Sequence, residues 1–174
     1  MGVEAIRVVI LSFSAIFLVI VFATKTHPCL TQYCKSVLWV TVIALLYNLL
    51  CRGYPLWYHP RWWLMTDKFS QLVQIFVLLP CTTLLFLRNM PRRPMAKIIY
   101  GLCFLAVYGI YEALLCATHE IIYCHGWSFG WSLLLDACMF FVMWLHNENW
   151  RISVGLSGLI MSLFLAWFHV PWDT

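Results

Sequence analysis

An all-α, polytopic membrane bundle of about six transmembrane helices with short loops is the fold class that this chain predicts. Two observations carry it: six almost uniformly apolar runs in regular succession, and a charge content too low for a water-facing surface. The runs cover residues 3–23, 37–50, 69–87, 95–116, 127–144 and 152–168. Each is long enough, or nearly so, to cross a hydrocarbon core that takes about 20 helical residues, and only helices or closed barrels satisfy their backbone in lipid. Of the 174 residues, 63% are hydrophobic and 10% charged, against about 25% charged in an average soluble domain. No connection is long enough to fold by itself, so residues 1–174 are read as one transmembrane helical domain.

The first run follows a single basic residue, Arg7, and leaves through Thr24-Lys25-Thr26-His27 without a small-x-small cleavage site, which predicts a retained helix that also directs insertion. Helix ends are marked by His27-Pro28, Gly53-Tyr54-Pro55, Pro91-Arg92-Arg93-Pro94 and Gly126, each of which removes a backbone donor or permits a turn. Lys25, Lys35, Arg88, Arg92, Arg93, Lys97 and Arg151 fall in the 1/2, 3/4 and 5/6 connections; Arg7, Arg52, Arg61 and Lys68 fall on the other side. Seven against four places both termini outside and the Arg88–Lys97 cluster in the cytoplasm, in a bacterial cytoplasmic membrane.

The 2/3 connection, 51–63, packs five aromatic rings among two Arg and two Pro. Such a segment is expected along the membrane interface as an aromatic belt, or as a lid over a central cavity. Trp127, Trp131, Trp144, Trp150, Trp167 and Trp172 are expected as anchors at span ends, and Cys81, Cys103 and Cys138 as small packing residues inside spans. Gly155 and Gly158, within Ser153-Val154-Gly155-Leu156-Ser157-Gly158, permit close helix contact, in the bundle or across a homodimer.

Intramembrane carboxylates are costly, about 2.5–3.5 kcal/mol for Asp at a helix centre, and therefore mark candidate sites. Asp136 lies near the middle of the fifth run, with Ser132 and Ser128 one and two turns before it. Glu112 lies in the later half of the fourth, with Tyr108 four before and His119 seven after. Asp67, Gln71 and Gln74 recur at i, i+4 and i+7 on the third. These groups predict a polar interior, either fastened by interhelical hydrogen bonds or hydrated, with Asp136 binding a cation or exchanging a proton. His119, Glu120, Cys124 and His125 could gather around a metal in a loop, although their spacing is not the helical H-E-x-x-H. Cys116 and Cys124 could form a bridge, and His146 with Glu148 could act as acid and base. No Ser, Cys or His arrangement points to nucleophilic catalysis, and no glycine-rich phosphate loop occurs, so neither an enzyme nor a cofactor is expected. The modest charge of +4, spread over loops, is topology information and argues against nucleic acid. The bilayer is the one expected partner, with a membrane-protein partner or homodimer left open.

Tyr54-Pro55-Leu56-Trp57, Leu79-Pro80-Cys81-Thr82 running into Leu84-Leu85-Phe86-Leu87, Tyr108-Gly109-Ile110-Tyr111-Glu112, Tyr123-Cys124-His125-Gly126-Trp127, Met139-Phe140 and Leu145-His146 occur in order. Over about residues 45–171 this series resembles a family of small, uncharacterised integral membrane proteins from spore-forming Gram-positive bacteria. His125 stands where that pattern has Asn, and Asn147-Glu148-Asn149 replaces basic or aromatic residues. The resemblance implies five or six spans and no established activity. The function expected is structural, accessory or sensory, with a small proton- or cation-coupled transporter or channel as the alternative.

Overall fold

The computed structural model describes residues 8–61 and 65–171. Its helices are α1 (Val9–Ala23), α2 (Leu30–Leu50, entered through a 3₁₀ turn at His27–Cys29), α3 (Asp67–Arg88), α4 (Pro94–Ala117), α5 (Phe129–Glu148) and α6 (Trp150–Trp167). The all-α bundle is as expected. Five helices are long and apolar enough to cross a membrane; α1, as described from Val9, is shorter. At 1.5 Å per residue α1 measures about 22 Å, yet its ends reach opposite faces of the bundle. Val9 is hydrogen-bonded to Glu120 in the 4/5 connection, and Thr24 to Arg88 at the end of α3. The face with the 2/3 and 4/5 connections is called upper here, the face with Arg88 and Lys97 lower.

The second run is longer than hydropathy suggested. Thr31-Gln32-Tyr33-Cys34-Lys35-Ser36 are polar but compatible with a helix, and Pro28 sits in the first turn, where its missing N–H costs nothing. The expected start of the first run, residues 3–7, lies outside the described residues.

Helix α3 is the central element and the most buried span. It packs against α1, α2 and α5, and Thr82 Oγ1 meets Tyr108 Oη of α4 at 2.7 Å. Phe86 is surrounded by Tyr100, Phe104 and Phe140 at centroid distances of 5.1–5.5 Å. Residues Gln74–Leu78 form a π-helical turn, in which the N–H of Leu79 bonds to the carbonyl of Gln74 five residues back. Pro80 follows at once. It has no N–H to donate, and in a regular α-helix its ring would collide with the carbonyl of Phe76, so the helix takes up an extra residue just before it. Helices α4 and α5 approach closely at Gly109, where a Cβ would stand 3.0 Å from Leu133 Cδ2.

Three helices end in the same way. Lys25, His119 and His169 adopt φ of 52°, 55° and 52°, and the next residue donates its N–H five residues back: Thr26 to Val21, Glu120 to Leu115, Val170 to Leu165. This left-handed C-terminal cap usually holds Gly and costs a non-glycine residue about 1–2 kcal/mol. It also corrects one expectation: α4 stops at Ala117, so His119 turns away and does not continue the Tyr108–Glu112 stripe.

The upper connections are pinned to each other. Trp57–Tyr58 pairs antiparallel with Ile122–Tyr123, Trp57 opposite Tyr123. Cys124 N donates to Leu56 O at 2.8 Å, His125 Nδ1 donates to Pro55 O at 2.9 Å, and the His125 ring lies 3.5 Å from that of Tyr54. Leu56 and His59 are only 1% and 3% exposed, so these positions of the 2/3 connection pack down as a lid, while the rings of Tyr54, Trp57 and Tyr58 are half-buried; Trp62 and Trp63 lie outside the described residues. Trp127 likewise is buried, its indole N–H on Ser132 Oγ at 2.9 Å, whereas Trp150 and Trp167 are exposed at span ends as anchors would be. Trp172 is outside the described residues.

Gly155 and Gly158 face open space, away from the bundle. The small residues that bring α6 inward are Ser153, which donates to Val142 O of α5, and Ser157, which accepts the indole N–H of Trp39 on α2.

The cap on α1 comes from another part of the chain. Val8 offers no side-chain oxygen, and the carboxylate of Glu120 accepts from Val9 N at 2.9 Å and Ile10 N at 3.2 Å. A carboxylate at a helix N-terminus satisfies two otherwise open donors and complements the helix dipole. Glu120→Ala is expected to lower stability by about 2 kcal/mol, and Glu120→Gln, which keeps one acceptor, by about half as much. Thermal unfolding in detergent checks this; an unchanged midpoint for Glu120→Ala would contradict it.

Candidate functional site

A cavity of about 270 Å³ lies beneath the upper lid. Leu56, Trp57, His59, Ile121 and Trp127 roof it; Trp39, Tyr47 and Asn48 of α2 and Met161, Phe164 and Leu165 of α6 wall it. The polar interior residues expected from the sequence converge here. Asp136, Glu112, Gln71, Gln74, Tyr108 and Ser132 all line the space, brought from α3, α4 and α5. Asp136 stands seven residues into α5 from Phe129, a depth of about 10 Å. The π-helical turn of α3 forms part of the wall through Gln74, Ile75 and Leu78. Such turns are frequent at functional sites.

The polar groups are not equally engaged. Tyr108 gives its hydroxyl to Thr82, and Ser132 accepts from Trp127. Glu112 Oε1 accepts from Tyr123 Oη at 2.6 Å. The carboxylate of Asp136 has no hydrogen bond to any described residue. Tyr111 lines the cavity too, is 3% exposed, stacks on Phe13 of α1 at 4.2 Å, and its hydroxyl has no hydrogen-bond partner among the described residues. A buried polar group without a partner costs about 1–3 kcal/mol on protein scales. The interior is thus only partly fastened, and the open end of the network is at Asp136.

Asp67 stands apart. It does not line the cavity but occupies the first turn of α3, after the N-cap Thr66, where Oδ1 accepts from His59 N at 2.8 Å and Oδ2 from Gln71 Nε2 at 2.9 Å. The sequence reading missed His59, the centre of the roof. Its Nδ1 donates to the carbonyl of Glu120 at 2.7 Å, so its Nε2 is the acceptor for Gln74 Nε2 at 2.8 Å. The ring is held neutral in one tautomer. Burial pushes its pKa below the usual histidine value, against the raising influence of the Glu120 carbonyl and the carboxylates of Asp67, Glu112 and Glu120. A lone histidine in an aromatic loop has no periodicity to announce it; its neighbours became visible only once Glu120 and Gln74 were in place.

The loop metal cluster does not assemble. His119 is exposed, Glu120 caps α1, His125 stacks on Tyr54, and the Sγ of Cys116 reaches Tyr123 Oη and not Cys124. Among the described residues no group of three His, Cys, Asp or Glu side chains could hold a metal ion. All eight cysteines are free, so Cys116 and Cys124 are not bridged. Cys81 is buried, Cys138 lines the cavity and Cys103 faces outward. Burial pushes the Cys51 thiol up to about 11, which leaves it protonated and poorly nucleophilic. His146 and Glu148 are also drawn apart: His146 bonds to Ser36 Oγ at 2.9 Å and stacks on Trp39, while Glu148 pairs with Lys97 at 3.3 Å.

No family model, no curated protein and no solved structure matches the chain.

The His59 arrangement sets a pH dependence. Unfolded chains bind a proton on this residue below about 6.5 while the native state resists it, so the unfolded state binds more protons as pH falls and stability must drop with it. His59→Asn keeps a donor for the Glu120 carbonyl and removes the titration. Wild type is expected to lose stability between pH 7.5 and 5.5 more steeply than His59→Asn; parallel curves would contradict a neutral, depressed His59.

Proposed function

We propose that the protein is a membrane-embedded binding protein for a small solute, of the sensor or transporter class, with Asp136 as the polar anchor of its cavity. The supporting observation is a 270 Å³ space inside the bundle with a carboxylate on its wall that no described residue satisfies. A pure fastener would be expected to spend its oxygens on hydrogen bonds, as Glu112 does with Tyr123 of the 4/5 connection and Asp67 with His59 of the 2/3 connection and Gln71 of its own helix. The cavity exceeds the about 150 Å³ void that accepts benzene and falls just below the about 300 Å³ where drug-sized sites begin. A solute of one small ring fits that range. We further propose that the chain is a multi-pass protein of a bacterial cytoplasmic membrane, with the lower, more basic face in the cytoplasm, and that it belongs with the family its ordered motifs resemble. The lid would then face outward and control access to the cavity.

Replacing Asp136 separates a site from a fastener without knowledge of the solute. Asp136→Leu removes a half-buried carboxyl that makes no hydrogen bond to a described residue, and the variant is expected to unfold at the wild-type temperature or above it. A loss of about 2 kcal/mol or more would mean that Asp136 holds helices together, and the solute-binding reading would fall.

A further inference from the structure

The chemistry of the lining narrows the solute. Its carboxyl groups are those of Asp136 and Glu112 and its one imidazole, His59, is held neutral by the Glu120 carbonyl; among the described residues no Lys or Arg reaches the space. Glu112 already accepts from Tyr123 through Oε1, whereas Asp136 accepts from no described residue, so Asp136 is the less engaged of the two acids. An anion would find no counter-charge here. Among the described residues no group of three His, Cys, Asp or Glu side chains could hold a metal ion. The remaining wall is aliphatic and aromatic, with the faces of Tyr47 and Trp57 stacked at 4.5 Å and Trp127 set 4.9 Å from Trp57. Aromatic rings attract a cation by about 0.5–2 kcal/mol each when water is excluded, and they also cover an apolar body.

Resting on the solute-binding reading, we infer that the cavity takes a small organic cation: a protonated amine with one aromatic ring or an apolar body of like size, its ammonium on Asp136 and its body against the rings under the lid. An ammonium paired with the Asp136 carboxylate gives a complex that is neutral overall. That is the condition under which a buried ion pair is tolerated.

The test uses the full chain in lipid nanodiscs at pH 7, with 2-phenylethylamine, a protonated amine, and 2-phenylethanol, a neutral molecule with the same body. Saturable binding is followed by tryptophan fluorescence in wild type and Asp136→Asn. The amine is expected to bind at least tenfold more tightly than the alcohol to wild type, and the variant to lose that preference while retaining alcohol binding. Equal saturable binding of both to wild type would overturn the cation assignment and leave the solute site standing. No saturable binding of either would overturn both. Should Asp136→Asn fail to fold, the amine-to-alcohol ratio in wild type decides alone.

Discussion

Glu120 ties the upper half of the molecule together. Its carboxylate closes the N-terminus of α1 and its carbonyl accepts the Nδ1 proton of His59, so one residue of the 4/5 connection fixes a helix and the 2/3 connection at once. Both bonds depend on the backbone turn at His119, whose left-handed conformation ends α4 and turns Glu120 back over the bundle. From His59 the chain of bonds runs to Gln74 and Asp67 of α3. The lid is therefore held by directed polar bonds to three helices, and a lid so held can stand over a cavity without collapsing into it.

The cavity follows from the helices below. Pro80 forces the π-helical turn of α3, which carries Gln74 into the wall and sends the next residues, Thr82 and Thr83, into the core, where neither is exposed. Gly109 lets α4 and α5 approach on one side, while Trp39 and Tyr47 of α2 and Phe164 of α6 line the other. Asp136 ends in the gap. There it is half-buried on a largely apolar wall and spends no hydrogen bond on a described neighbour, so it adds no bond to the packing of the helices.

Much of this was legible in the sequence because apolar length and helical periodicity are strong signals. The class, the six helices and the convergence of Asp136, Glu112, Gln71 and Gln74 follow from spacing alone. The errors arose where local chemistry departs from its usual residues. Hydropathy cut α2 short at its polar but helical first turns. The apolar fourth run ends at Cys116, one residue short of Ala117, yet a left-handed His119 in place of Gly still made His119 look like part of a stripe. Glu120, read as a metal ligand candidate, is a helix cap 110 residues away in sequence from Ile10. His59 and the burial of Trp127 depend on contacts between connections that no single-chain pattern encodes.

The most direct measurement is an experimental structure in lipid, with the density around Asp136 resolved. The account expects the cavity to be open and to hold water or a solute within about 2.6–3.2 Å of the Asp136 carboxylate. A collapsed, dry interior in which Asp136 is hydrogen-bonded to a neighbouring helix would contradict it and reduce the carboxylate to a fastener.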